Sequence, residues 1–263
     1  MNRLMNFALE KEDKMISTFL SSIGPWNNHV IIGGGFAPII YKLYLSDLST
    51  GMLPVGTRDL DSLISRKIPN MAHKKLSKHL IDSGFTTIFK NLEIPATQAY
   101  VKDIDGFELE VEFLTSSNFR GDKNKNIEIA GVIAQPLRYL ELSLQNFIEF
   151  TTQSNNTGFV VSPETWIFHK GLTFIKRFSD SKIYKDLYGI WYVATQLGKF
   201  SDKAIIEVKD LVKQHSKWFK RFQKNIFEWT DKATPLDWTR LESQDPYGKL
   251  HKVNFMYLMK KWL

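Results

Sequence analysis

The sequence predicts an α+β first half followed by a helical second half. Three observations carry that fold class. A short β-branched run at residues 29–32 is closed by three glycines, residues 107–114 alternate strictly, and apolar residues recur at helical spacing from Pro163 onward. The polar run QSNNTG at 153–158 reads as the linker, which gives domains of 1–158 and 159–263.

Taken in order, residues 4–23 place Leu4, Phe7, Met15, Phe19, Leu20 and Ile23 among charges, so they predict an amphipathic helix that ends at Gly24 and Pro25. A buried strand at 29–32 then feeds a turn, Gly33-Gly34-Gly35, and a helix over 36–48 in which Pro38 is tolerated only in the first turn. The next strand carries Asp59 and Asp61, a helix follows at 71–83, and 85–90 and 97–104 are strands. In FELEVEFL, residues 107–114, Phe107, Leu109, Val111 and Phe113 face one way and Glu108, Glu110 and Glu112 the other. Residues 118–126 form a polar turn and 135–153 a helix through Leu137, Leu140, Leu144 and Phe147. Beyond the linker, helices are expected from Pro163 to Arg177, over 184–197, and as one or two segments in 202–229. Tyr188, Trp191 and Tyr192 read as helix core before they read as a platform for a base.

With 43% apolar residues in a chain of 263, a sizeable core can be buried, and a globular fold of one or two domains is expected. The absence of cysteine excludes a disulfide framework and thiolate metal sites. No run reaches the roughly 20 apolar residues of a membrane span, and the charged N-terminus does not read as a signal peptide, so a cytoplasmic protein is expected. Most of the net +7 lies in residues 201–263, where 13 Lys and Arg face 8 Asp and Glu. That excess either attracts a polyanion or is a solvated helical surface. Lys217, Lys220, Arg221 and Lys224 are its densest part.

The chemistry concentrates in residues 31–37 (IIGGGFA) and 55–64 (VGTRDLDSLI). A period of two sets the carboxylates of Asp59 and Asp61 on one strand face, where two anions repel unless a cation lies between them. A glycine turn upstream can offer backbone N–H groups to phosphates. Glu112 is a third carboxylate, with Glu110 as the alternative on the same face. GGGFAP lacks G-x-G-x-x-G spacing and no G-x-x-x-x-G-K-[ST] occurs, which argues against dinucleotide-binding and P-loop folds.

The order of these pieces resembles the nucleotidyltransferase superfamily. Gly34-Gly35-Phe36-Ala37 resembles its G-G-x-A turn, Thr57-Arg58-Asp59-Leu60-Asp61 its T-x-D-[IL]-D strand, and Glu112-Phe113-Leu114-Thr115 its DLLT-type strand end, with glutamate where aspartate is usual. Ala134-Gln135-Pro136-Leu137-Arg138-Tyr139-Leu140, Pro163-Glu164 to His169-Lys170, Arg177 and Lys185-Asp186-Leu187 are similar to motifs of the bacterial GSU-type nucleotidyltransferase-like family, near the minimal nucleotidyltransferases and AbiEii toxins. The resemblance covers about residues 28–197. It implies a mixed sheet with flanking helices, a C-terminal helical domain, and transfer of a nucleoside monophosphate from ATP or another nucleoside triphosphate. Asp59, Asp61 and Glu112 would be catalytic and would hold Mg²⁺, or Mn²⁺ in its stead, with Glu112 also helping to deprotonate the acceptor hydroxyl. Gly34, Gly35, Thr57, Arg58, Lys170 and Lys185 would bind the nucleotide. The acceptor, a small molecule, a protein or tRNA, is left open. The alternative is a catalytically weakened nucleotide-binding or interaction module, such as a toxin-system component.

Overall fold

A computed structural model describes residues 9–47, 52–68, 74–91, 95–117 and 125–262. The chain divides into two compact units, one made of Met1–Tyr44 with Gly56–Ser162 and the other of Leu45–Val55 with Pro163–Leu263.

In the first unit, helix α1 (Glu10–Ile23) opens with Glu10, Glu12 and Asp13 in its first turn, where acidic groups suit the helix dipole, and buries Met15, Ile16, Phe19, Leu20 and Ile23. The expected helix began at residue 4, and residues 4–8 lie outside the described residues. Strand β1 (Val30–Ile32) is wholly buried and leads through the glycine turn into α2 (Phe36–Ile40), which continues as a π-helical turn over Tyr41–Leu45. The expected end of this helix, at residue 48, also lies outside the described residues. Strand β2 (Asp59–Ile64) is followed by α3 (Leu76–Asp82), β3 (Thr86–Phe89), β4 (Gln98–Ile104) and β5 (Phe107–Ser116). The start of the expected helix at 71–83 and most of the polar turn at 118–126 fall outside the described residues.

Strands β6 (Ile127–Ile129), β7 (Val132–Leu137), β8 (Phe147–Thr151) and β9 (Thr157–Val161) complete a mixed sheet, and the short helix α4 (Leu140–Gln145) lies between β7 and β8. The order is β3-β4-β5-β2-β1-β9-β8, with the β6–β7 hairpin joined to β5 through β7. Strand β5 is long enough to pair β4 along 107–112 and β7 along 113–116.

Two expectations are corrected here. Only Leu140–Gln145 of the helix expected at 135–153 is helical: Pro136 lies in β7, and Tyr139, at φ 65, turns the chain before α4 begins. The aromatic and β-branched run FIEFT then prefers a strand. The stretch 153–158 is no linker: residues 152–156 turn the β8–β9 hairpin, closed by the pair Thr151 and Thr157, and Thr157 and Gly158 open β9.

The fully buried Tyr41 hydroxyl donates to the Val161 carbonyl at 2.6 Å and ties the helix after the glycine turn to β9. Tyr41→Phe should therefore lower stability by about 1–2 kcal/mol, because it leaves a buried acceptor unpaired. Urea unfolding measures it.

The second unit is helical: α5 (Pro163–Thr173) with a 3-10 turn over Phe174–Lys176, α6 (Asp180–Thr195), α7 (Lys199–Gln214), α8 (Ser216–Lys232), α9 (Pro235–Glu242) and α10 (Lys252–Trp262). Its core includes Tyr188, Trp191 and Tyr192, as expected, and Tyr192 donates to the Met52 carbonyl at 2.7 Å. The missing side chain of Gly171 lets α5 pack on Phe222 of α8, since a Cβ there would stand 2.2 Å from the ring. No helix among the described residues is long and apolar enough to cross a membrane.

Candidate active site

Strands β2 and β5 run parallel in a register that pairs Asp59 with Glu110 and Asp61 with Glu112. Register partners point to the same face, so these four carboxylates form two adjacent rows. Leu60 and Ser62, and Leu109, Val111 and Phe113, take the opposite, buried face. That alternation explains why the acidic residues share a side: the core requires their neighbours. Asp59 is exposed and the other three are half-buried. Carboxylates directly across a strand pair repel, so the arrangement calls for a counter-charge.

Part of that charge comes from Lys90. It follows β3 at the same parity as Thr86 and Ile88, its backbone N–H donates to the Thr97 carbonyl at 2.8 Å, and its ammonium donates to Oε1 of both Glu110 and Glu112. Burial alone would make Lys90 easier to deprotonate. The bonds from Glu110 and Glu112 outweigh that effect and push its pKa up. The second oxygen of Glu112 accepts from Gln135 Nε2 at 3.3 Å. Both oxygens of Glu112 are therefore engaged.

The glycine turn lies flush on the acidic strand. Gly33 N–H donates to the Asp61 carbonyl at 2.8 Å. Gly34 has φ 54, and a Cβ there would fall 1.8 Å from Asp61 Oδ2, so only glycine fits both the backbone and the neighbour. A Cβ on Gly35 would lie 2.9 Å from Thr57 Cγ2. Helix α2 starts directly after it, and the first amides of a helix have no intrahelical acceptor. Arg58 is exposed, with its carbonyl accepting from Glu110 N–H at 3.2 Å. The structure thus brings Gly34, Gly35, Thr57, Arg58, Asp59, Asp61, Glu110 and Glu112 together within one unit.

Lys170 and Lys185 belong to the second unit. Lys170 Nζ donates to Asp186 Oδ1 at 2.6 Å and lies 5.5 Å from the centre of the Trp166 ring, while Arg177 Nε takes Asp186 Oδ2 at 2.8 Å. Lys170 is thus engaged in an ion triad around the buried Asp186. Lys185 is exposed on α6. On α8, Lys217, Lys220, Arg221 and Lys224 are exposed at the spacing of one helix face.

The carboxylate oxygens are hard donors of the kind Mg²⁺ and Mn²⁺ take, so the donor set fits such an ion in chemistry. Among the described residues, however, no three carboxylate or imidazole groups converge as a metal would require. Two of the four carboxylates are drawn toward Lys90 instead. Asp59 and Asp61 are the pair that would hold the ion.

Lys90 and Gln135 are the residues that sequence reasoning missed. The one signal for Lys90 was its parity with Ile88 on a short strand; Gln135 stood unassigned inside the AQPL motif.

A family described as nucleotidyltransferase matches residues 14–205. Among solved structures, the chain is similar to an antigenic nucleotidyltransferase-like protein from Paracoccidioides brasiliensis, with 14% identity, a TM-score of 0.43, and coverage of 80% of this chain and 93% of that one. It is also similar to a Helicobacter pylori protein assigned provisionally as a nucleotidyltransferase, with 13% identity, a TM-score of 0.40, and coverage of 97% and 96%. No curated protein matches.

Proposed function

The chain belongs to the nucleotidyltransferase family, and from that premise we propose that it transfers a nucleoside monophosphate from a nucleoside triphosphate to an acceptor hydroxyl with the help of Mg²⁺. One observation supports this most: the registered rows of Asp59, Asp61, Glu110 and Glu112 lie directly against a glycine turn moulded to Asp61. In the transfer, the acceptor oxygen bonds to the α-phosphorus as the bond to the bridging oxygen of pyrophosphate breaks. Mg²⁺, when bound, would offset the charge that develops on the phosphoryl and leaving oxygens. Asp59 and Asp61 would hold it, and Glu112, fixed by Gln135, would complete the set from the neighbouring strand and help to take the proton that the acceptor hydroxyl gives up. The bare backbone of Gly34 and Gly35 lets the triphosphate approach the start of α2, beside Thr57 and Arg58. The GSU-type affinity of the motifs, near the AbiEii toxins, is part of the same proposal, and the acceptor is a small molecule, a protein or tRNA.

Calorimetric titration of Mg²⁺ with each triphosphate, against Asp59→Ala/Asp61→Ala, tests the site. Binding should weaken by at least about a hundredfold in the double variant, the scale expected when a hydrogen-bonded charge partner is lost. Equal binding by both proteins would remove the assignment. A second reading, a binding module with little turnover, is favoured by the engagement of Glu110 and Glu112 with Lys90. Incubation with radiolabelled triphosphate and total RNA, lysate protein or small hydroxylated acceptors separates the two, since only turnover yields labelled product.

A further inference from the structure

Resting on this reading of the acidic site, we propose that Lys90 is its resident counter-cation and competes with the divalent ion for Glu112. The geometry sets one ammonium against two glutamates that stand two residues apart on the same face of β5. At that spacing the two anions repel, and a lysine ammonium, a compact charge with three donors, can bridge them. The sheet provides its reach. Across the strands, Ile88, Ala99, Glu112 and Asp61 occupy one row, and Lys90 is the next residue of the same face beyond Ile88. Ala99, fully buried, offers only a methyl group in that row. Lys90 reaches Glu112 from beyond that row.

The two partners differ in freedom. Glu112 is 18% exposed and its other oxygen is held by Gln135, whereas Lys90 is 36% exposed at a strand end on a four-carbon stem. The lysine is the member that can swing away. Lys90 would have to release Glu112 before that carboxylate could join Asp59 and Asp61 in holding a divalent ion, so whatever holds Lys90 in place lowers the affinity of the site for that ion. This also accounts for the absence of a converging ligand set among the described residues. One positive charge thus already lies against two of the four carboxylates.

The test uses the full chain with Mn²⁺ as the probe, its unbound fraction followed by electron paramagnetic resonance. Lys90→Gln should bind Mn²⁺ about tenfold more tightly than the native protein, and Lys90→Arg within about twofold of it. Thermal unfolding gives a second readout. Without divalent ions Lys90→Gln should melt below the native protein, since its glutamates are uncompensated, and Mg²⁺ should raise its melting temperature more than the native one. Unchanged or weaker Mn²⁺ affinity in Lys90→Gln overturns the proposal, as does a melting temperature indifferent to Mg²⁺. Asp59→Asn/Asp61→Asn distinguishes the failures. If that variant loses Mn²⁺ while Lys90→Gln behaves as native, only the competition is refuted; if it binds Mn²⁺ as native does, the metal reading of the site falls with it.

Discussion

Gly34→Ala should lower stability by about 3 kcal/mol and remove triphosphate binding, the largest effect expected of any single methyl group in the first unit. Two causes add. The residue sits at φ 54, where a side chain costs about 1–2 kcal/mol, and the new Cβ would meet Asp61 at Oδ2, Cγ and Cβ, at 1.8, 2.6 and 2.8 Å. Because the clash reaches from the tip of Asp61 to its root, rotating the carboxylate does not relieve it. Nor can the strand retreat easily, since the Asp61 carbonyl accepts from Gly33 N–H. Either the turn or the Asp61 side chain must leave its place, and the proposed site needs both. Gly106→Ala isolates the backbone share: φ is 82 and a Cβ there meets nothing within 4 Å, so about 1 kcal/mol is lost and binding is untouched. Gly35→Ala, without a left-handed φ but meeting Thr57 at 2.9 Å, should fall between them. Urea unfolding and calorimetry with Mg²⁺ and ATP measure both effects. Native-like binding by Gly34→Ala would mean that the turn and Asp61 do not act together.

These contrasts show why the acidic strands were legible in the sequence. Period-two patterns in β2 and β5 are local, because each buried neighbour dictates the face of the next residue, and the glycine turn is a local backbone demand. What lay between distant segments was not legible. Lys90 reaches Glu110 and Glu112 across twenty and twenty-two positions, and the contact exists only because β3, β4 and β5 pair in one register. Residues 135–153 misled for the converse reason. Leu137, Leu140, Leu144 and Phe147 keep helical spacing, but β7 pairs in register with β5 through Pro136 and β8 pairs with β9, and sheet pairing overrides spacing. The surroundings of Lys170 were hidden in the same way. Sequence offered it to a triphosphate, and only the packing of α5 and α6 reveals that it and Arg177 both meet the Asp186 carboxylate.

That triad carries the second large expectation: Asp186→Ala should destabilise the chain by about 3–5 kcal/mol, the range for removing one partner of a buried ion pair. The Asp186 side chain is 7% exposed and Lys170 13%, so the lysine left behind remains a charge with little water to solvate it. Arg177, 37% exposed, can turn to solvent and adds little of this cost. Burial alone would raise the pKa of Asp186, but Lys170 and Arg177 overcome that and hold it below the usual aspartate value. A carboxyl with a depressed folded-state pKa contributes stability that is fully present above its unfolded pKa, near 3.9, and is lost as pH falls through the folded value. The native protein should therefore lose this contribution only below about pH 4, whereas Asp186→Ala should be destabilised throughout the neutral range and show a shallower acid limb. Lys170→Met with Asp186→Leu supplies the cross-check, because removing both charges from a buried site is far less costly than removing one. Denaturant unfolding from pH 2.5 to 8 decides the matter: if Asp186→Ala runs parallel to the native curve at all pH values, or if the double replacement is no milder than the single one, the triad does not stabilise the helical unit through its charges.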